Sequence, residues 1–303
     1  MNNVGIVLEG GGMRGVYTGG VLEYFLEKQL CFPYVAAVSA GACNGASYVA
    51  KQRGRNKAVT VDFASHPEYI SYRRLIKNGE LFNFDLIFEE IPNNLHLFDY
   101  ESFFQSDQLF FTGTTDCETG EVIYFEKEEL KADLNKILRA SCSLPLVAPI
   151  VVHRGRPLLD GGVSDPIPLE KSIQDGNEKH VVILTQCPGY EKKPENQWRW
   201  LYRKKYRMYP QLLRLLETRW MIYNQSLKKV LEMEQEGRAF VFRPENLQNV
   251  GRLERKQEKL QALYNHGYAH AKERYEELLA FLTASPCPFP AEREKISVGR
   301  VRK

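Results

Sequence analysis

Three short segments of this chain carry residue types able to cleave a carboxylic ester. Ser39 lies in Ala37-Val38-Ser39-Ala40-Gly41. Small residues two positions to either side would let the backbone turn sharply and lift a hydroxyl clear of the chain. Such an elbow commonly has Gly where Ala37 stands, and one extra methyl group is tolerable there. The same residues also fit a buried small-residue turn. Gly10-Gly11-Gly12-Met13-Arg14-Gly15 would let backbone N–H groups face a ligand at a helix start, which suits a developing oxyanion or a phosphate. A tight strand-to-helix turn is the plainer reading. Asp160-Gly161-Gly162 is a common turn sequence, but it follows an apolar strand. That puts Asp160 at the sheet rim where Ser39 should also lie.

A serine nucleophile ordinarily works with an imidazole base, yet none of His66, His96, His153, His180, His266 and His270 has a recognisable catalytic setting. Packing or surface roles suit them better, and if Ser39 attacks, its candidate base is Asp160. Gly10, Gly12 and Gly15 also satisfy a dinucleotide-binding glycine pattern. That pattern needs a carboxylate at the end of the next strand, where this chain has Ala37-Val38-Ser39. An oxidoreductase is therefore a weak alternative. No Lys-Ser/Thr pair follows the glycines, so a nucleotide phosphate loop is absent. Six scattered cysteines with no CxxC pair suggest reduced thiols in a cytoplasmic protein, with no zinc site. No cofactor or metal is expected.

These residues need a sheet with helices on both faces. The apolar run Val4–Leu8, too short for a signal peptide, reads as a buried parallel strand. A helix follows the glycines, with apolar residues at helical spacing from Val21 to Leu30. Tyr34–Val38 is a second strand and 40–51 a second helix. Residues 55–108, rich in phenylalanine, read as an insertion over the sheet. Strands are expected at 109–115, 122–125, 157–159 and 180–185, and helices at 128–139 and 166–174. The fold class is α/β, a mostly parallel sheet between helix layers. The domains are expected at 1–188 (catalytic) and 189–303 (mostly helical), the latter interrupted by a strand-like 239–243.

Together these features resemble the patatin-like phospholipase family in its bacterial form: a glycine-rich loop, a serine elbow and Asp160-Gly161-Gly162, in that order. Thr115-Asp116 with Thr119-Gly120 looks like the family's strand–turn segment. Ala140-Ser141 with Pro145 and Pro149 looks like its A-S…P…P segment. Asp165-Pro166 looks like its N-P, with Asp in place of Asn. The resemblance covers about residues 4–186 and implies a three-layer α/β/α domain and lipid ester hydrolysis by a Ser39–Asp160 dyad. It places the oxyanion hole at the backbone N–H groups of Gly11, Gly12 and Met13, with Ala40. Arg14 would anchor the loop. Because a free aspartate has a pKa of about 3.9, burial would have to raise its basicity.

The net charge of +3 is too small to imply nucleic acid. Between 197 and 223, Arg199, Arg203, Lys204, Lys205, Arg207, Arg214 and Arg219 stand against one acid, Glu217, and are interleaved with Trp and Tyr. Such a stretch suits an anionic lipid surface; a helix with solvated arginines is the plainer reading. The expected partners are an acyl lipid or lysolipid substrate and, peripherally, a membrane. A non-catalytic membrane-associated regulator of the same fold is the alternative. Leucines and tyrosines from Leu253 to Leu282 mark an amphipathic helix, and the tail from Pro286 is polar.

Overall fold

Short apolar runs, buried on both faces, form the middle of the sheet, because a parallel strand covered by helices has no solvent side to alternate with. In the computed structural model, which describes residues 3–284, the strands are β1 (Val4–Leu8), β2 (Tyr34–Val38), β3 (Leu109–Asp116), β4 (Val122–Glu126), β5 (Val151–His153), β6 (Arg156–Asp160), β7 (Lys179–Ile183) and β8 (Ala239–Phe242). Strands β3, β2, β1, β7 and β8 lie side by side in that order, all parallel. The tail from Pro286 lies outside the described residues.

Successive residues of β1 point to opposite faces and join different cores. Ile6 and Leu8 pack with the helices α1 (Val16–Glu27) and α2 (Ala40–Val49). Val7 packs with Leu169, Tyr223, Val230 and Met233 from the helices Leu169–Gln174 and Pro210–Gln235. This is the three-layer α/β/α arrangement. The C-terminal region adds to both faces and also supplies the edge strand β8, in register with β7 from His180↔Ala239 to Ile183↔Phe242. Gln257–Glu273 lies along α1, while Phe84, Phe88 and Phe98 of the 55–108 insertion join the α2-side core.

Strand β3 sets the register of the site. Its residues Leu109–Gly113 pair with β2 and Phe111–Thr115 pair antiparallel with β4. Thr114–Asp116 pair antiparallel with β6. Since β4 occupies one edge of β3 along most of this length, β2 and β6 must share the other edge, end to end. The partner of Val38 is Gly113 and that of Asp160 is Thr114. Two strands approaching from opposite directions therefore deliver Ser39 and Asp160 to adjacent positions.

Three helices differ from the spacing-based expectation. Residues 127–130 form a separate turn closed by a Glu126–Glu129 capping box, so the helix begins at Leu134. Pro168 disfavours helical geometry at the residue before it, and the helix expected from 166 begins at Leu169. The stretch marked by Leu253 to Leu282 breaks at Arg274 into Gln257–Glu273 and Tyr275–Thr283.

Candidate active site

Ser39 has φ 54° and ψ −130°, a conformation that strains any residue with a side chain. The elbow holds because its neighbours are small. A Cβ on Gly41 would sit 2.6 Å from the Leu8 carbonyl oxygen, so α2 crosses the end of β1 at backbone contact. Ala37 is fully buried, and its methyl is accommodated. The Ser39 N–H donates to Ser141 Oγ at 2.8 Å, and Ser141 Oγ donates to the Gly113 carbonyl at 2.7 Å. Ser141 therefore pins the elbow to β3.

Ser39 Oγ donates to Asp160 Oδ2 at 2.7 Å. The other carboxylate oxygen, Oδ1, accepts the Gly162 N–H at 2.8 Å. The Asp160 N–H donates to the Ser143 carbonyl at 2.9 Å, and its carbonyl accepts Thr115 Oγ1 at 2.7 Å. With its backbone held on both sides, the carboxylate has one orientation. Burial pushes the Asp160 carboxyl above the usual carboxylate range, and hydrogen bonds from Ser39 and Gly162 with the charges of Arg219 and Arg252 oppose that rise.

The glycine loop passes beside the elbow. Gly12 has φ +58°, a left-handed conformation that glycine adopts without strain. Among the described residues the N–H groups of Gly11, Gly12 and Ala40 make no backbone hydrogen bond. Met13 departs from the expectation: its N–H donates to the Arg252 carbonyl at 3.1 Å and is not free for an oxyanion. Beneath the loop, buried Glu9 accepts hydrogen bonds from Tyr223 Oη at 3.0 Å and from the Thr185 N–H. Arg14 is buried, with Glu9 as its opposing charge.

A family model described as patatin-like phospholipase matches residues 6–172, which contain the loop, the elbow and Asp160. The chain belongs to the patatin-like phospholipase family. A second model, a domain of unknown function, matches residues 209–283. The uncharacterized protein YjjU of Escherichia coli (strain K12) is 29% identical over 188 residues, covering 60% of this chain and 52% of that protein. The chain thus spans about half the length of that relative. The crystal structure of VipD from Legionella pneumophila aligns over 91% of this chain and 67% of its own, with 11% identity and a TM-score of 0.46.

Two cavities meet at Ser39 in this patatin-like domain. The larger, of about 120 Å³, is lined by Ser39 and Ala40, by α2, and by Phe82, Phe84, Phe88 and Phe98 of the insertion, with Leu138 and Leu144. Its walls are mostly apolar and match an acyl chain. The smaller, of about 30 Å³, is lined by Asp160, Gly11, Lys192, Arg219, Tyr223 and Arg252. Gly12, Ser39 and Leu144 line both.

None of the six histidines lines either cavity. His180 is buried against Ser172 Oγ at 3.0 Å, and burial lowers its pKa to about 4. His270 Nδ1 lies 2.6 Å from Tyr17 Oη. Among the described residues no group of three or more His, Cys, Asp or Glu side chains could hold a metal ion. No described helix is long and apolar enough to cross a membrane.

Sequence reasoning missed the roles of Ser141, Lys192, Arg219 and Arg252 in shaping the site. A signal existed for Arg219. Leu212, Leu216, Arg219, Tyr223, Val230 and Met233 are the buried stripe of Pro210–Gln235, and their spacing of three, four or seven marks one helix face.

Proposed function

We propose that the chain hydrolyses carboxylic esters of acyl lipids or lysolipids, with Ser39 as nucleophile and Asp160 as its base. The observation that carries this reading is the 2.7 Å hydrogen bond from Ser39 Oγ to Asp160 Oδ2 at the mouth of an apolar cleft. With the acyl chain in that cleft, Ser39 Oγ attacks the carbonyl carbon and its proton passes to Asp160. The tetrahedral oxyanion takes hydrogen bonds from the N–H groups of Gly11, Gly12 and Ala40. Collapse expels the alcohol, which leaves with the proton from Asp160. Water, deprotonated by Asp160, then releases the fatty acid and restores Ser39. A buried carboxylate is a stronger base than a solvated one, and each oxyanion donor contributes about 3 kcal/mol to the transition state. These two effects stand in for a histidine.

The catalytic unit is residues 1–188 and the second region 189–303, whose strand β8 completes the sheet edge and whose Lys192, Arg219 and Arg252 line the site. The protein works in the cytoplasm, touching anionic membrane through 197–223. Ser39→Ala and Asp160→Asn are each expected to lower hydrolysis of a medium-chain p-nitrophenyl ester by about a thousandfold or more. Ser39→Ala should also abolish covalent labelling by a fluorophosphonate, with the circular dichroism spectrum unchanged. Near-normal activity in pure Ser39→Ala protein would sink the reading. A wild-type protein that the probe never labels would point to a non-catalytic regulator.

A further inference from the structure

Two cysteines stand in the wall of the larger cavity, next to the reacting serine. Cys43 and Cys142 both line it, and their sulfurs are 3.5 Å apart. All five described cysteines are free, and among the described residues no other two cysteines are in hydrogen-bonding contact. The thiols come from positions 99 apart in the chain, so the fold and not the local sequence brings them together.

Each cysteine is tied to a part of the elbow. Cys43 lies one helical turn after Ser39 on α2, and its N–H donates to the Ser39 carbonyl at 3.3 Å. Cys142 is the C-terminal cap of the helix Leu134–Ser141, directly after the residue whose Oγ accepts the Ser39 N–H. Ser39 is also a hydrogen-bonding neighbour of the Cys142 thiol. The two sulfurs therefore link two helices that together fix the serine. Cys43 as hydrogen-bond partner, burial and the charge of Asp160 all push the Cys142 thiol up, so Cys142 keeps its proton and Cys43 is the thiol that attacks. A cavity of about 120 Å³ has room for several water-sized molecules, and hydrogen peroxide is little larger than water.

We propose that Cys43 and Cys142 are a peroxide-reactive dithiol, a modification site whose closure to a disulfide switches off Ser39. The switching rests on the hydrolytic reading above; the thiol chemistry does not. The Cys43 sulfur attacks one oxygen of hydrogen peroxide, the O–O bond breaks, and the other oxygen leaves as water with the Cys43 proton. The Cys142 sulfur then attacks the Cys43 sulfenic acid. An S–S bond forms, and the displaced hydroxyl leaves as a second water with the Cys142 proton. The two thiols give up two electrons, and the peroxide takes them as it becomes two waters. Bonded sulfurs sit about 2.05 Å apart, so the two helices must draw together where they hold Ser39. Misplacing a reacting group by about 1 Å costs on the order of a hundredfold in rate. A dithiol reductant reverses the closure.

The test treats the pure full-length protein with hydrogen peroxide, then reads peptide masses beside hydrolysis of a medium-chain p-nitrophenyl ester. Wild type is expected to yield a Cys43–Cys142 cross-linked peptide, with kcat/KM lowered by roughly tenfold or more and restored by dithiothreitol. Each variant is compared with its own reduced form. Cys43→Ala should show no response to peroxide. Cys142→Ala leaves the Cys43 sulfenic acid without a partner thiol, so its inactivation should resist dithiothreitol and Cys43 should be recovered as sulfinic acid. Should one variant not fold, the other and the wild-type peptide masses still decide. A missing cross-link overturns the proposal, as does a cross-linked protein of unchanged activity or an inactivation that persists in Cys43→Ala. If the reduced wild type neither cleaves the ester nor takes a fluorophosphonate at Ser39, the hydrolytic reading has failed and the switch falls with it. The peptide masses then still show whether the two thiols pair.

Discussion

At the residue scale, the two aspartates near the site differ in what their burial accomplishes. Asp160 is held above the usual carboxylate range beside Ser39, where the proposed mechanism calls for a base. Asp165 stands where the family pattern has Asn; it accepts Tyr124 Oη at 2.6 Å, and burial pushes its carboxyl up to about 6. A folded-state pKa raised above the unfolded value stabilises the protein at low pH, and that contribution is lost as pH rises through about 6. Asn keeps an acceptor for Tyr124 and has no proton to lose. Asp165→Asn is therefore expected to stabilise the protein by roughly 2 kcal/mol at pH 8, and by little or nothing below pH ~4. Thermal melts across that range check it; a gain independent of pH would refute the ionisation argument. The substitution of Asp for Asn was legible in the sequence. Its energetic consequence was not, because it depends on what surrounds the carboxyl.

At the element scale, the C-terminal region meets the glycine-loop helix at backbone contact. A Cβ on Gly20 of α1 would lie 2.0 Å from the Tyr264 carbonyl oxygen, and one on Gly267 would lie 2.1 Å from that of Tyr17. Both obstacles are backbone, so neither can swing aside. Gly20→Ala must push Gln257–Glu273 away from α1, and is expected to destabilise the fold by about 1–3 kcal/mol. A lowered urea midpoint would show this, and an unchanged one would mean that the helices can separate without loss. The leucine and tyrosine stripe from Leu253 to Leu282 was enough to identify an amphipathic helix. It could not name α1 as its partner, since glycines on two helices 247 positions apart have no local signature until they face each other.

At the scale of the whole molecule, the basic and aromatic stretch 197–223 divides between two surfaces. Arg219 and Tyr223 turn into the small cavity, and Tyr206 is buried. Arg199 and Arg203 share Glu217 at 2.7 and 3.1 Å. Trp198, Trp200 and Met208 remain exposed beside Lys204 and Arg207, which is the composition of an interfacial contact. Binding to vesicles rich in anionic lipid is expected to exceed binding to neutral ones and to weaken with salt. Lys204→Gln combined with Arg207→Gln should reduce it roughly thirtyfold, at about 1 kcal/mol for each cation. Flotation that shows no preference for anionic vesicles would rule out this contact.

The sequence by itself determined the parts of the site that obey short-range rules. A strained elbow demands small neighbours, a buried parallel strand demands a continuous apolar run, and a loop exposing its N–H groups demands glycine. Each demand is visible within a handful of adjacent residues, so Ser39, the glycine loop and the rim position of Asp160 could be read directly. Only the tertiary structure decided that β2 and β6 meet end to end along β3, that Ser141 clamps the elbow, and that the Arg252 carbonyl takes the Met13 N–H. It also decided that Lys192, Arg219 and Arg252 gather beside Ser39. Coulomb forces and hydrogen bonds act on distance in space, and these partners lie from 27 to more than 230 positions apart in the chain.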